Sequence, residues 1–373
     1  MITKKKVLFL ANSDWYLYNF RLPLINDLIE QGYKLHLFAP LGKYEDELRS
    51  LNAEVNDATL SRGANQPLND LKFLFKLRNY LVSEQIETLH SFTLKSCFIS
   101  SIASYKLNVN LVQSITGLGY LFINNSFINR LRLLILKPFF RFFFNKENAK
   151  FIFQNLDDQQ LFIDSGFCNA SQAYLIKGSG VDCKKFQPRV RKYEDSNCTF
   201  LFPSRILIDK GILEFLHASK KLKENKVNTN FIIAGDHDFS NPSSVSEAEI
   251  KKWMHLNIFN FIGHVHNMHE IFQKVDVVVL PSYREGLSKA LAEAAASGLP
   301  IITTDVPGCR DVVEDNYNGY LVKPMEIESL YECMYKLSND VQIRKNFGLA
   351  SRLIAEKIFD VEIINKLTKK LYL

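Results

Sequence analysis

The chain has 373 residues, 47% of them hydrophobic and 23% charged, an ordinary globular composition that excludes disorder, collagen and coiled coil. At about 100–200 residues per domain, that length predicts two domains, each with a sizeable core. The formal charge of +6, from 46 basic and 40 acidic residues, is mild, and no nucleic-acid partner is expected from it.

Met1–Lys6 has the basic start of a signal peptide, but the apolar run behind it, Val7–Ala11, is short and stops at Asn12-Ser13-Asp14. A secretory core needs about 7–15 apolar residues. The run therefore reads as the first buried strand of a cytoplasmic protein. No uncharged stretch approaches the roughly 18 apolar residues that cross a bilayer. Strands are predicted at Val7–Ala11, Leu35–Ala39, Thr88–His90, Leu111–Ile115, Phe151–Gln154 and Ala173–Ile176. A second series follows at Phe200–Pro203, Phe231–Ala234, Phe259–Ile262, Val275–Leu280, Ile301–Thr303 and Tyr320–Val322. Val275–Leu280 is nearly apolar on both faces, as a central parallel strand requires. Between the runs lie amphipathic segments such as Leu22–Gln31, Leu68–Glu84, Gly211–Lys223 and Glu326–Leu337. This alternation predicts an α/β protein of parallel sheets covered by helices on both faces.

A seam is expected near residues 178–199, where Gly178-Ser179-Gly180 leads into a polar, charged stretch from Lys184 to Asn197 that reads as a linker. Residues 1–178 carry +5 of the +6. Much of that excess lies in Phe127–Lys150, where Arg130, Arg132, Lys137, Arg141, Lys146 and Lys150 face one acid, Glu147. Six rings are interleaved: Phe127, Phe139, Phe140, Phe142, Phe143 and Phe144. A segment so interrupted by cations cannot span a membrane. It can lie in the membrane surface, with Phe139, Phe140 and Phe143 in the acyl boundary and Arg132, Lys137 and Arg141 on lipid phosphates. The competing reading is a core helix whose cationic stems reach solvent. Six cysteines, with no C-x-x-C pair, read as reduced and mostly buried thiols.

The richest motif follows the Val275–Leu280 strand: Tyr283-Arg284-Glu285-Gly286-Leu287-Ser288, then a Leu- and Ala-rich helix holding Glu293. Unpaired amides of Gly286, Leu287 and Ser288 at a helix start would form an anion site. A carboxylate repels a diphosphate, so Glu285 and Glu293 suit hydroxyls instead; equally, they could be a surface acid and a partly buried helix acid. A second strand-to-helix turn, Pro203–Gly211, places Arg205 and Lys210 on either side of the bend. Fixed cations at a helix start suit a diphosphate, with Arg binding through two N–H groups and Lys as a point charge.

Taken together, these segments resemble the GT-B-fold retaining glycosyltransferases of family 4. The resemblance rests on the E-x7-E spacing of Glu285 and Glu293, the upstream R-x4-K of Arg205 and Lys210, Gly298–Asp305 and Asn318–Val322. In the first domain, Asn19–Leu24, His90–Lys95 and Ile115–Tyr120 resemble a subgroup of bacterial enzymes that build capsule, O-antigen or lipid-linked glycans.

That resemblance implies two Rossmann-like domains facing across a cleft, at about 1–185 and 190–355, with a terminal segment, 356–373, returning to the first. Closing that cleft would exclude water from the donor. It implies that Arg205 and Lys210 neutralise the donor diphosphate without metal, that Glu285 and the amides of Gly286–Ser288 hold the donor sugar or phosphate, and that Glu293 binds ribose hydroxyls. Val265 falls near the expected base pocket. Asn19, Arg21, His90, Lys95 and Thr116 fall on the acceptor side. Many family members carry a histidine where this chain has Thr116-Gly117, and Asn12–Trp15 replaces a glycine-rich first loop. The implied reaction is transfer from a nucleotide-sugar, UDP by subgroup, to a hydroxyl of a lipid-diphosphate-linked glycan. It would take place on the cytoplasmic face of the inner membrane and use no cofactor. A sugar-nucleotide epimerase or hydrolase, or a mere binder of sugar nucleotides, are the rivals.

Two further clusters read as decoys. Asp236-His237-Asp238 has the spacing of a manganese site in another transferase fold but follows the Phe231–Gly235 run, where a turn is expected. His264, His266 and His269 have no carboxylate or cysteine beside them and are assigned to a nucleotide-side loop, with no metal. P-loop, H-E-x-x-H and G-x-S-x-G motifs are absent, which leaves P-loop phosphoryl transfer, zinc hydrolysis and serine hydrolysis without support.

Overall fold

The computed structural model describes residues 5–60, 67–118, 127–189, 197–238 and 241–372. The chain divides into two compact units, residues 1–179 with 362–373, and residues 180–361.

The first unit is built on seven parallel strands: β1 Lys6–Leu10, β2 Lys34–Ala39, β3 Glu54–Asp57, β4 Thr88–Phe92, β5 Asn110–Ile115, β6 Ala149–Phe153 and β7 Ala173–Leu175. Their order is β3-β2-β1-β4-β5-β6-β7. Apolar residues alternate between two cores, as a strand covered on both faces requires. Leu8 and Leu10 enter one core, Val7 and Phe9 the other. The longer helices are α1 Leu22–Glu30, α2 Pro67–Ser83, α3 Leu94–Ala103, α4 Phe127–Phe144 and α5 Leu156–Asp164.

The second unit has six parallel strands: β8 Cys198–Phe202, β9 Thr229–Ala234, β10 Phe259–Gly263, β11 Val277–Leu280, β12 Ile301–Thr304 and β13 Gly319–Val322, in the order β10-β9-β8-β11-β12-β13. All four residues of β11 are buried, between β8 and β12. Helices α6 Ile212–Glu224, α7 Lys289–Ala296, α8 Ile327–Asn339 and α9 Val341–Ile354 cover the sheet. In each sheet the winding direction reverses once, between β1 and β4 and between β8 and β11. In open parallel sheets, ligands bind at such reversals, outside the carboxyl ends of the strands.

All twelve expected strands are present. The strand not expected is β3, a sheet edge whose Glu-Val-Asn-Asp sequence has almost no apolar signal. The stretch from Lys184, expected to be a linker, packs on the second unit as far as Arg189. Cys183 and Phe186 are buried in that unit's core, and Arg352 Nη2 and Nη1 donate to their carbonyls at 3.0 and 2.6 Å. Two apolar anchors hold a segment whose overall polarity hides them. Helix α10, Val361–Lys369, and the turn after it join the first unit. Leu371 O accepts from Asn110 Nδ2 and Lys150 Nζ, each at 2.8 Å, and Tyr372 is buried.

Candidate active site

The richest site in the second unit lies at the β8/β11 reversal. After β8 the chain turns through Pro203–Lys210 into α6, and after β11 through Pro281–Ser288 into α7. Gly211 starts α6 at φ +74, and a Cβ there would stand 2.1 Å from Pro281 O, so only glycine lets the two turns meet. Tyr283 N–H donates to Asp209 O at 2.9 Å and Ser282 Oγ to the same carbonyl at 3.1 Å. Tyr283 OH donates to Glu214 Oε1 of α6 at 2.7 Å, and burial with that carboxylate raises the phenol well above its ordinary range. Gly308 (φ +78) packs directly beneath Glu285, whose N–H donates to Pro307 O at 3.0 Å.

This bracing brings Lys210 to Glu285. Lys210 Nζ lies 2.6 Å from Glu285 Oε1, both side chains are 16% exposed, and Ser282 Oγ, whose one proton is shared between this oxygen and Asp209 O, lies 3.0 Å from it. Arg205 Nη1 lies 2.5 Å from Asp238 Oδ2. Each cation expected to meet a diphosphate thus rests on an acid. Asp238 belongs to the D-x-D segment. It therefore serves as an arginine partner. The contacts of Ser282, Tyr283, Glu214 and Asp238 escaped the sequence reading, because all but that of Ser282 with Glu285 join residues more than thirty apart.

One expectation about α7 needs correction. The Ser288 N–H is not open to an anion: it donates to Gly308 O at 3.1 Å, and its Oγ caps α7 by accepting from Leu291 N at 3.4 Å. The helix starts at Lys289, so Glu293 lies just past its first turn. Glu293 is largely enclosed. Burial pushes its carboxyl above the usual range, opposed by Lys289, whose Nζ is 3.6 Å away, and by Lys185. Leu287 and Val265 are half-buried against the core, Val265 in the loop after β10. Gly286 lies in the turn between Glu285 and α7.

In the first unit, the expected residues gather around the β1/β4 reversal with unequal access. His90 is fully buried, its Nδ1 2.5 Å from Tyr372 OH and its Nε2 2.7 Å from Ser114 Oγ. Burial first, then the nearby Arg21 cation, hold its pKa well below the ordinary histidine range. The expectation that it touches an acceptor is corrected: it is a neutral core histidine. Arg21 is 3% exposed and ends a π-turn, Leu17–Arg21, that also carries Asn19, whose Nδ2 donates to Trp15 O. Lys95 pairs with Asp70 at 2.7 Å, and Thr116 reaches the Tyr16 hydroxyl. Trp15, 43% exposed, borders a pocket of about 380 Å³ over the ends of β1 and β2. Gly119 and Tyr120 lie outside the described residues.

Helix α4 divides the basic–aromatic segment. Phe140 is 5% exposed and packs on Phe98, Phe144 and Phe167, so its assignment to a membrane face is corrected. Phe143 is half-buried beside Phe98 and Tyr105, and Arg141 folds back so that Nε donates to Ser165 O. Leu134, Phe139 and Phe142 are 53–68% exposed, with Lys137 among them. The side chain of Arg132 lies outside the described residues. No helix among the described residues is long and apolar enough to cross a membrane. Their one cluster of three metal-capable side chains, His36, Glu54 and Glu84, is remote in sequence from these loops, and lysines already occupy both its carboxylates.

Comparison with known proteins fits this arrangement. The Glycosyl transferase 4-like family matches residues 6–155 and the Glycosyl transferases group 1 family matches residues 184–353. This chain belongs to the family 4 glycosyltransferases. The glycosyltransferase is 27% identical over 377 residues to the N,N'-diacetylbacillosaminyl-diphospho-undecaprenol alpha-1,3-N-acetylgalactosaminyltransferase of Campylobacter jejuni, covering 98% of this chain and 97% of that one. It is 24% identical to the UDP-Gal:alpha-D-GlcNAc-diphosphoundecaprenol alpha-1,3-galactosyltransferase of Escherichia coli, covering 73% and 72%. Among solved structures it resembles a glycosyltransferase from Rickettsia africae (TM-score 0.79, 16% identity, 99% and 98% covered). It also resembles HepE of Anabaena, solved with UDP and glucose (TM-score 0.77, 20% identity, 98% of each covered). Both matches establish the GT-B fold, two Rossmann-like parallel-sheet domains, for this glycosyltransferase.

Proposed function

We propose that this glycosyltransferase moves a sugar, with retention and without metal, from a UDP-sugar to a hydroxyl of a lipid-diphosphate-linked glycan in bacterial surface polysaccharide assembly. The observation that carries the reading is the Lys210–Glu285 pair, braced by Ser282 and Gly308 at the β8/β11 reversal. On donor binding, the diphosphate takes Lys210 from Glu285 and Arg205 from Asp238. The released Glu285 carboxylate then accepts from sugar hydroxyls, and Glu293, one turn into α7, accepts from the ribose. As the bond from the anomeric carbon to the diphosphate oxygen breaks, Arg205 and Lys210 hold the growing charge on the leaving group. The acceptor hydroxyl attacks from the same face, and its proton passes to the departing phosphate oxygen. Two fixed cations supply the charge a metal would otherwise supply. The named reactions of the relatives from Campylobacter jejuni and Escherichia coli support a diphospho-undecaprenol-linked acceptor.

The exposed side of α4 supports peripheral attachment to the cytoplasmic face of the inner membrane. Leu134, Phe139 and Phe142 would sit in the acyl boundary, with Lys137 at the headgroups. The test is nucleoside diphosphate release from UDP-, GDP- and ADP-sugars, with and without membrane lipid extract, in EDTA throughout. Release that needs the extract and survives EDTA is the expected result. Release abolished by EDTA refutes metal independence, and release indifferent to the extract refutes the lipid-linked acceptor.

A further inference from the structure

The pocket over the ends of β1 and β2 has its walls fixed before any ligand arrives. They are the turns after those strands, residues 12–15 and 40–44. One carboxylate ties the two turns together. Asp14, 5% exposed, accepts from the N–H groups of Trp15, Gly42 and Tyr44 at 2.7, 2.8 and 2.8 Å, and its own N–H donates to Pro40 O at 3.1 Å. Asp57, at the end of β3, holds the second turn as well, accepting from Leu41 N–H at 3.2 Å. With three amides on it, the Asp14 charge is met by the frame and serves the walls. The position is one where open parallel sheets bind ligands, because β1 is also the strand at which the winding reverses.

The groups that the frame leaves over share a pattern. Trp15 is 43% exposed, yet its indole packs edge-to-face on Phe20 at 5.3 Å between ring centres, and Asn19 Nδ2 donates to its carbonyl at 2.9 Å. Exposed Lys43 has its ammonium 5.7 Å from the ring centre of Tyr44, and it makes no ion pair among the described residues. The Asn12 side chain makes no hydrogen bond among them either. A propped ring, a free amide and an unpaired cation thus border one cavity of about 380 Å³. A hydrocarbon chain would leave the cation and the amide unmet, and a bare phosphate would leave the ring uncovered. A pyranose joined to a phosphate meets all three: its C–H face on the indole, its hydroxyls on the amide, its phosphate oxygens on the ammonium.

We infer that this pocket seats the sugar that the acceptor's diphosphate carries, stacked on Trp15, with Lys43 on the adjoining phosphate. The identity of the occupant rests on the transferase reading above, which assigns the donor's diphosphate and ribose to the second unit. The pocket itself rests on the geometry alone.

The test uses the full-length protein and its own fluorescence. The chain has two tryptophans, and Trp253 is buried in the core of the second unit, so Trp253→Phe leaves Trp15 as the sole reporter. The probes are short-chain prenyl diphosphates carrying N-acetylglucosamine or N,N'-diacetylbacillosamine, the methyl glycoside of each sugar, and the prenyl diphosphate without sugar. A glycosylated lipid should change the Trp15 emission saturably. Its methyl glycoside should do so at higher concentration, and the sugar-free lipid should not. Trp15→Ala should raise the acceptor KM about tenfold or more, as truncating an aromatic anchor does, and keep the donor KM within about twofold. Trp15→Phe should recover most of that loss, and the Tm of either variant without ligand should match the wild type. Lys43→Met should raise the KM of the glycosylated lipid about tenfold and leave binding of the methyl glycoside unchanged. A change of emission with the UDP-sugar in place of the acceptor, or a donor KM that rises in place of the acceptor KM, assigns the pocket to the donor and overturns the inference. An equal response to the sugar-free lipid overturns it too, as does a lowered Tm with an unchanged acceptor KM. If Trp15→Ala does not fold, the emission of the Trp253→Phe protein and the Lys43→Met kinetics decide alone. If the wild type transfers no sugar from any donor, the transferase reading fails, while a saturable, sugar-dependent Trp15 response still establishes the pocket. Transfer with no Trp15 response to either glycosylated lipid overturns the pocket and leaves that reading standing.

Discussion

Replacing Lys210 by alanine separates the two lives of its ammonium group. In the unliganded protein the group neutralises Glu285 at 2.6 Å, with both side chains only 16% exposed. Removing it leaves Glu285 with the Ser282 hydroxyl and the little water that reaches it. A poorly paired group of this kind costs about 1–3 kcal/mol, and the residual exposure argues for the lower half of that range. At about 2–4 °C per kcal/mol for a unit of this size, the Tm should drop by roughly 2–8 °C. In the reaction, the same ammonium faces charge that grows on the departing diphosphate, a contact worth about 2–4 kcal/mol. Turnover should therefore fall about 30- to 1000-fold, at 1.4 kcal/mol per tenfold. Scanning calorimetry reads the first quantity and nucleoside diphosphate release under saturating donor reads the second. Free UDP, which lacks the sugar, adds a check of opposite sign. Glu285→Gln should bind UDP more tightly than the wild type, because Lys210 no longer has to leave a carboxylate, and Lys210→Ala should bind it less tightly. Wild-type turnover in a folded Lys210→Ala, with only the Tm lowered, would refute the catalytic assignment and leave the pair structural.

Three other outcomes follow from the buried groups and from α4. The raised Glu293 carboxyl keeps its proton in the folded state at pH values where the unfolded chain has lost it, so its contribution to stability falls as pH rises above about 4.5. Glu293→Gln should gain Tm over the wild type near pH 7.5, lose that gain by about pH 4, and raise the donor KM; equal Tm profiles would refute the burial argument. His90 is held neutral when folded, so the unfolded chain takes up its proton first. Stability should fall as pH drops below about 6.5, and His90→Gln should flatten that slope in a Tm–pH series. On α4, Leu134→Ser with Phe139→Ser and Phe142→Ser should abolish sedimentation with anionic vesicles and leave the fold intact, whereas Phe140→Ser should destabilise by about 3–5 kcal/mol, the scale of a lost core phenylalanine. Unchanged sedimentation of the triple variant would exclude that face from the membrane.

Periodicity carried most of the fold. Apolar runs bounded by turn residues located every buried strand, because a strand covered on both faces must be apolar throughout, and β3 was lost because an edge strand is under no such demand. The site was legible where it is local. Arg205, Lys210 and Glu285 sit at strand-to-helix turns that short motifs mark, and Glu293 one turn into the helix that follows. What stayed hidden was who holds whom. Asp238 as the partner of Arg205, Glu214 as that of Tyr283, and the Gly308 carbonyl as the acceptor for the Ser288 N–H are facts of the sheet's winding order, which brings β8, β9, β11 and β12 side by side. The aromatic segment misled for another reason. Phenylalanines at 139, 140, 142, 143 and 144 spread over more than half of the helix circumference, so composition could not say that Phe140 and Phe144 turn inward while Phe139 and Phe142 turn out.

The tail of the chain sets the order in which the protein can be completed at the ribosome. Residues 180–361 are contiguous, so the second unit has its whole sequence as soon as position 361 emerges. The first unit does not. Strands β4, β5 and β6 wait for Leu371 and Tyr372, which take up the hydrogen bonds of His90, Asn110 and Lys150. The first unit, although most of it is synthesised before the second, is thus finished after it, against the usual amino-to-carboxyl sequence of domain folding. During translation, His90, Asn110 and Lys150 wait for these partners through nearly two hundred further residues.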